Sequence, residues 1–216
     1  MKHILLFFTF LFISSVSFSQ EIEVAGLYSL SSSKEFQNSF GIRSGYNEFV
    51  NPKTRLGLSL EYRYNCFPFE DKYNADDATK YVDEVRPDNH QIGLKLTCSF
   101  LILNKSRSLL FIGPEFGILY MIFDEKIDRT STTLYGDVYK EEGISYHYIK
   151  PTTSIGFLIE YELKNIIAHK ISAYVSMNPE VTGLESRGMM GARNMTGGGW
   201  LNVSIGIKYL FTKKSL

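Results

Sequence analysis

The side chains that most often act as bases or nucleophiles are sparse in this sequence of 216 residues. Three histidines follow residue 20, His90, His147 and His169, and none has a serine two positions later. The Gly-x-Ser-x-Gly sequence that exposes a nucleophilic serine on a sharp turn is absent. His147 stands between two tyrosines, where an interfacial or loop histidine is more common than a general base. The sequence therefore predicts no catalytic residue and no enzyme activity.

Two segments have compositions that could bind metal ions. Residues 68–90 contain seven acidic and three basic side chains, but their spacing matches no calcium-binding loop. Residues 179–200 contain Met189, Met190 and Met195, which are soft-metal ligands, among six glycines. Solvated surface loops account better for both compositions. We therefore predict no metal site and no cofactor.

A set of charged residues is spread along the chain at alternate positions of otherwise apolar segments. Its members are Glu23, Arg43, Glu61, Arg63, Lys95, Glu115, Glu160 and Lys208. Four acids and four bases on one face of a closed sheet would neutralise one another and fill its interior. We predict such a lumen charge network, and a proton or ion path along the same residues is the alternative.

Eight segments that alternate apolar with polar or small residues would position these charges. They cover residues 22–30, 39–47, 56–67, 91–102, 109–123, 154–161, 170–178 and 201–211. Connections of few residues (48–55, 103–108, 162–169) alternate with long ones (68–90, 124–153, 179–200). Short turns at one end and long loops at the other are typical of transmembrane barrels. We predict an all-β fold: an eight-stranded antiparallel up-and-down transmembrane β-barrel.

The alternation alone also suits a soluble barrel with an apolar interior. The glycines decide between the two, because eight of them fall on the polar face: Gly41, Gly45, Gly57, Gly93, Gly113, Gly117, Gly156 and Gly206. Side chains just fill an eight-stranded barrel, so the face with small residues should point inward. Turned toward lipid near the midplane, each Arg or Lys would instead cost about 2–4 kcal/mol. We therefore predict that the apolar face contacts lipid and that the lumen is closed.

Two local predictions concern Pro114 and the cysteines. Pro114 cannot donate to a strand ladder, so we expect a bulge or a register change near Gly113. Cys66 lies near the end of one predicted strand and Cys98 well along the next, which places them too far apart for a disulfide. We predict two free thiols.

Residues 1–19 have the three zones of a secretory signal peptide, and cleavage is predicted before Gln20. Their apolar stretch, residues 4–13, is shorter than the roughly 20 residues of a membrane-spanning helix. Residues 20–216 then form one barrel domain. Loss of Lys2 leaves 22 bases against 23 acids, so there is no electrostatic reason to expect nucleic acid as a partner.

The last segment carries the most specific local pattern, polar-x-Gly-x-x-aromatic-x-aromatic at Ser204, Gly206, Tyr209 and Phe211. With its eight segments, the chain resembles the small outer-membrane β-barrel families, the OmpA, OmpX and PorT-like group, over essentially its whole mature length. The resemblance implies a place in the bacterial outer membrane among lipid and lipopolysaccharide, and insertion by the barrel assembly machinery, which reads this last strand as its signal. These families perform too many tasks for the resemblance to specify a function.

Residues 124–153 are the most suggestive for function. Two stretches rich in Thr, Tyr and Val flank Gly136-Asp137 and could extend the fifth and sixth strands as a hairpin above the membrane, with an edge for a protein partner. A loop that merely caps the barrel is the alternative. The sequence thus predicts a non-enzymatic barrel that acts through its outer loops in partner binding or envelope integrity. A transport or secretion accessory for small apolar molecules and a lipid A modifying enzyme are the other hypotheses.

Overall fold

The computed structural model describes residues 20–31, 38–76, 79–166, 170–183 and 199–211. The predicted signal peptide, His169 and the three loop methionines lie outside these residues. Within the described ranges, no helix is long and apolar enough to cross a membrane.

Ten strands follow one another in the chain. They are β1 (Gln20–Ser31), β2 (Ser39–Asn51), β3 (Thr54–Asn65), β4 (Phe69–Asp76), β5 (Thr79–Pro87), β6 (Asn89–Asn104), β7 (Ser108–Thr133), β8 (Val138–Leu163), β9 (Ile171–Gly183) and β10 (Gly199–Phe211). Eight of them pair antiparallel in the cyclic order β1-β2-β3-β6-β7-β8-β9-β10, and β10 pairs with β1 to close the ring. Each predicted segment overlaps one ring strand. The predicted eight-stranded barrel is confirmed.

The two faces of the ring strands differ as their alternation predicts. On β3, Leu58 and Leu60 point outward and are 45% and 52% exposed, whereas Glu61 is buried. Inward-facing glycines leave room for these polar side chains: a Cβ at Gly45 would lie 2.8 Å from the carboxylate of Glu23. The bulky apolar residues therefore form the outer, lipid-facing surface of a transmembrane barrel.

Two strands are much longer than a membrane crossing requires. β7 and β8 have 26 residues each, against 12 in β1, and roughly 9–11 residues cross a bilayer. The ladder between β8 and β9 reaches only Thr153, yet β7 and β8 stay paired up to Thr132 and Val138. The hairpin extension predicted from residues 124–153 is therefore present.

A second hairpin, β4–β5, adds to the extended part of β7 through pairs such as Val85 with Ile127. We call the four-stranded part formed by β4, β5, residues 124–133 of β7 and residues 138–152 of β8 the protruding sheet. Residues 68–90, which the sequence predicts as a solvated surface loop, thus form a hairpin of two strands instead. Its acidic residues conceal the strand pattern, and one of them, Asp83, is satisfied by Arg129 of β7, a contact that the local sequence does not reveal.

The bulge or register change predicted near Gly113 is found two residues away, where the β6–β7 ladder shifts its register opposite Phe111 and Leu110. The ladders of β7 with β6 and β8 have the same register on both sides of Pro114, and the shift with β6 lies between Leu101 and Leu103. Cys66 and Cys98 are free, as predicted, and both are half-buried.

Candidate functional site: the lumen and the protruding sheet

Arg43 on β2 lies among three carboxylates inside the barrel. Its Nε is 3.1 Å from Glu23 Oε1 on β1, and its Nη1 is 3.2 Å from an oxygen of Glu61 on β3 and of Glu115 on β7. All four residues are buried. The inward pleat of the four strands thus brings together residues that are distant in the sequence.

Lys95 and Arg63 extend this cluster toward β9. Lys95 Nζ lies 3.1 Å from Glu61 and from Glu115 and 2.9 Å from Glu180. Arg63 Nη2 donates to Glu61 at 2.7 Å and to Glu180 at 2.9 Å. Each of these carboxylates therefore contacts at least two cations.

A second cluster lies nearer the end of the barrel that has the short turns. Arg55 Nη2 is 2.8 Å from Glu160 Oε1, and Lys208 Nζ is 2.5 Å from the same oxygen. Glu21 and Glu162 lie at longer range, 3.5 Å and 3.8 Å from Arg55 Nη1. The Arg55 guanidinium also covers the ring of Phe111 at 4.0 Å, so apolar as well as polar contacts fill this end.

The structure places all eight residues of the predicted lumen set inside the barrel and brings them into ion pairs. Sequence reasoning missed four further members: Glu21, Arg55, Glu162 and Glu180. Each lies just beyond a predicted segment, so carrying the alternation two residues further would have found it. With them the set has seven acids and five bases, and the expected balance of charge is corrected to an excess of two acids.

These ion pairs make the interior a crosslinked plug. Lys95, Glu61 and Arg63 are at most 1% exposed, and removing one partner of a buried pair typically costs about 3–5 kcal/mol. Among the described residues, no group of three or more His, Cys, Asp or Glu is arranged to hold a metal ion.

The protruding sheet carries different chemistry. Asp83 accepts two hydrogen bonds from Arg129, at 2.9 and 3.0 Å. Asp83 and Val85, two residues apart on β5 and therefore on the same face of the protruding sheet, are both buried. His147 Nδ1 is hydrogen-bonded to Asp124 Oδ1 at 2.5 Å, and both side chains are exposed. From Ile149 back to Val138 at the tip of the hairpin, the edge of β8 that faces away from β7 pairs with no strand in the described part of the chain.

The residues of the predicted insertion signal divide between the two faces of β10. Ser204 is buried toward the lumen, whereas Tyr209 and Phe211 are 42% and 43% exposed on the outer face. Their rings contact edge to face with centroids 4.8 Å apart. Recognition of this strand by an assembly machinery stays a prediction.

No family model matches the chain, and no curated protein matches it. Among solved structures, the chain is similar to Ail, the attachment invasion locus protein of Yersinia pestis, in its complex with the heparin analogue sucrose octasulfate. The two have 12% sequence identity and a TM-score of 0.50, and the match covers 91% of this chain and 100% of Ail. A major outer membrane protein of Thermus thermophilus has 12% identity over 89% and 99% of the chains, with a TM-score of 0.48. The outer membrane protease OmpT of Escherichia coli has 11% identity over 91% and 97%, with a TM-score of 0.42. The ring of eight strands, its apolar outer surface and the likeness to Ail give this chain the fold of the small outer-membrane β-barrel proteins.

Proposed function

We propose that this protein resides in the outer membrane of a Gram-negative bacterium as a closed, non-enzymatic barrel that binds a partner protein through its protruding sheet. The observation that carries the proposal is the open edge of β8. Residues 138–149 lie well beyond the last pair with β9, so half of their backbone N–H and C=O groups point toward a side where no strand of the described chain pairs with them. An extended segment of a partner can add to such an edge as a further strand.

The side chains along this edge suit an apolar partner segment. The protruding part of β8 presents Ile149, which is 59% exposed, and Tyr146, which is also exposed, while Lys140, Glu141 and Glu142 lie closer to the tip. In the turn at the tip, Leu134 and Tyr135 are 73% and 94% exposed. Exposed tyrosines are enriched among residues that dominate binding energy in protein interfaces.

The filled lumen favours binding over transport. Passage of a small apolar molecule requires a continuous apolar route, and the inner positions near Pro114 are occupied by Phe111 and Glu115, which are both buried. Stable, large single-channel currents from the purified protein in planar bilayers would contradict a closed barrel.

Location and insertion form a further part of the proposal. A belt of outward-facing Leu, Ile, Val and Phe residues supports contact with outer-membrane lipid and lipopolysaccharide. We also propose that the barrel assembly machinery inserts the chain through Ser204, Gly206, Tyr209 and Phe211.

Photo-crosslinking in living cells tests the binding proposal. A crosslinking amino acid at Tyr146 is expected to capture a defined protein partner, and the same amino acid at Lys105, in a short turn at the other end, is the matched control. Adding Ile149→Lys, which places a charge beside the open edge, should abolish capture without loss of the folded barrel. Equal capture from both positions, or capture that survives Ile149→Lys, would refute strand addition at this edge.

The absence of enzyme activity is tested separately. Lipid A from a deletion strain is expected to give the same mass spectrum as lipid A from the parent strain. A mass difference that disappears on complementation would identify the protein as a lipid A modifying enzyme.

A further inference from the structure

The rim of the barrel at the end with the short turns carries a row of basic side chains, which we call the basic rim. Its members are Lys53, between β2 and β3, Lys105 and Arg107, between β6 and β7, and Lys164, after β8. The first three are exposed and the fourth is half-buried. The stretches that contain them, 50–53, 104–107 and 164–170, include no Asp or Glu. The cations of the basic rim therefore have no carboxylate in their own turns to neutralise them.

Hydrogen bonds join the three turns to one another. Leu101 N donates to Lys53 O at 2.7 Å, and Lys164 N donates to Arg107 O at 2.9 Å. Lys164 Nζ also donates to Asn104 Oδ1 at 3.1 Å. Neighbouring turns are two strand spacings apart, roughly 10 Å. The basic rim is thus a continuous arc of fixed turns rather than a set of scattered charges.

Lipid-facing side chains reach the level of the basic rim. Ile102, three residues before Lys105, is 58% exposed, and Leu163, directly before Lys164, is 43% exposed. Even within the last turn, Ile166 is 50% exposed. Three residues of a strand span roughly 10 Å, and a long basic side chain can lay its stem on apolar surface while its charge reaches a polar layer. The basic rim therefore lies where the acyl chains of one leaflet meet their headgroups.

The opposite end of the barrel has the reverse balance of charge. Residues 68–90 contain seven acids and three bases, and residues 124–153 contain six acids and four bases. An anionic group near the protruding sheet would therefore meet more acids than bases. Attraction of anions is expected at the short-turn end.

The chemistry of the basic rim discriminates between phospholipid headgroups. Every phospholipid has a phosphate group that can accept charge-assisted hydrogen bonds from Lys and Arg. In phosphatidylcholine, the headgroup's own ammonium would stand beside these cations, and the three turns offer it no carboxylate. Phosphatidylglycerol has no ammonium and keeps one net negative charge.

We propose that the basic rim binds anionic phospholipids of the adjoining leaflet through their phosphate groups. The acyl chains of the bound lipid lie against Ile102, Leu163 and Ile166. Such binding requires that the barrel crosses a bilayer, and it is independent of a partner at the edge of β8.

Electron paramagnetic resonance of spin-labelled lipids tests this binding. The full chain is reconstituted in phosphatidylcholine vesicles with a trace of spin-labelled phosphatidylglycerol or spin-labelled phosphatidylcholine, and the fraction of each label held at the protein is measured. An anionic surface attracts each nearby Lys or Arg about fivefold. We expect at least a threefold preference for phosphatidylglycerol at low salt, and its loss in about 1 M NaCl, where charges are screened within about 3 Å.

Two double variants locate the preference on the protein. Lys105→Gln/Arg107→Gln removes two exposed charges from the basic rim and should lower the preference at least twofold. Lys80→Gln/Lys140→Gln removes two exposed charges from the protruding sheet, so the net charge is the same, and it should leave the preference unchanged. The reversal Lys105→Glu/Arg107→Glu should abolish the preference.

Three results would overturn the proposal. One is equal retention of the two labelled lipids by the unsubstituted protein. Another is an equal loss of preference in the two Gln double variants, which would assign the effect to net charge alone. The third is displacement of labelled phosphatidylglycerol by soluble glycerol phosphate at constant ionic strength, which would show a site for free phosphate instead of a lipid.

Discussion

Replacing Lys95 by Met tests whether the inner ion pairs hold the barrel together. Lys95 is fully buried, and its ammonium group contacts Glu61, Glu115 and Glu180 within 3.1 Å. Methionine keeps most of the side-chain volume, so the change removes the charge and leaves only a small cavity.

The expected loss of stability follows from what each carboxylate retains. Glu61 and Glu180 keep Arg63, and Glu115 keeps Arg43, so no carboxylate is left without a cation. The cost should lie at the lower end of the range for breaking a buried pair, about 3 kcal/mol. With an m-value of about 2 kcal/mol/M, the urea midpoint would fall by about 1.5 M.

Urea unfolding of the full chain in lipid vesicles, followed by Trp200 fluorescence, measures this loss. Lys72→Met is the matched control, because Lys72 in the protruding sheet is 58% exposed and its ion pair with Glu70 is solvated, so its effect should stay within about 0.5 kcal/mol. The double variant Lys95→Met/Glu180→Gln should lose less stability than the sum of the two single changes, since the second change removes a carboxylate that the first leaves with fewer cations. A loss below 0.5 kcal/mol for Lys95→Met would refute the reasoning, because the lumen charges would then contribute no more than surface charges.

Three further outcomes are expected. Gly41→Ala should destabilise the barrel by about 1–3 kcal/mol in the same urea assay, because a Cβ at this position would lie 1.9 Å from the carbonyl oxygen of Tyr62. Gly26→Ala is the control and should have little effect, since there is open space around its Cβ. Equal losses of stability in the two variants would contradict the close approach of β2 and β3. Leu56→Cys should form a disulfide with Cys98 on oxidation, since the two positions are directly opposed in the β3–β6 ladder. Leu60→Cys, whose position lies opposite Leu94, should form none. A gel shift that reports a disulfide in the Leu60→Cys variant would contradict the register of β3 with β6. Planar bilayers containing the purified protein should show no stable large conductance.

Much of the barrel follows from local patterns, because alternation with a period of two is a property of neighbouring residues. The alternation of Leu58 and Leu60 with Glu61 and Arg63 suffices to place β3 in the barrel wall and to assign its faces. The inward position of Gly45 follows in the same way, since the narrow lumen has no space there for a larger side chain.

The inner ion pairs are less accessible to sequence reasoning. Which acid meets Lys95 depends on the relative shift of strands around the whole ring, and Glu180 joins it only because β9 runs past the end of its predicted segment. The resulting excess of two acids in the lumen could not be predicted, because the four additional charged residues lie one or two positions outside the predicted strand segments.

The amino-acid sequence by itself determined the strand number of the barrel, its polar interior and its apolar exterior, because each of these depends on side chains a few residues apart. Only the tertiary structure decided that β4 and β5 build onto β7, with Asp83 paired to Arg129, and that Arg63 on β3 meets Glu180 on β9. These contacts join residues far apart in the chain, and their geometry is set by strand register and ring closure, which no local pattern encodes.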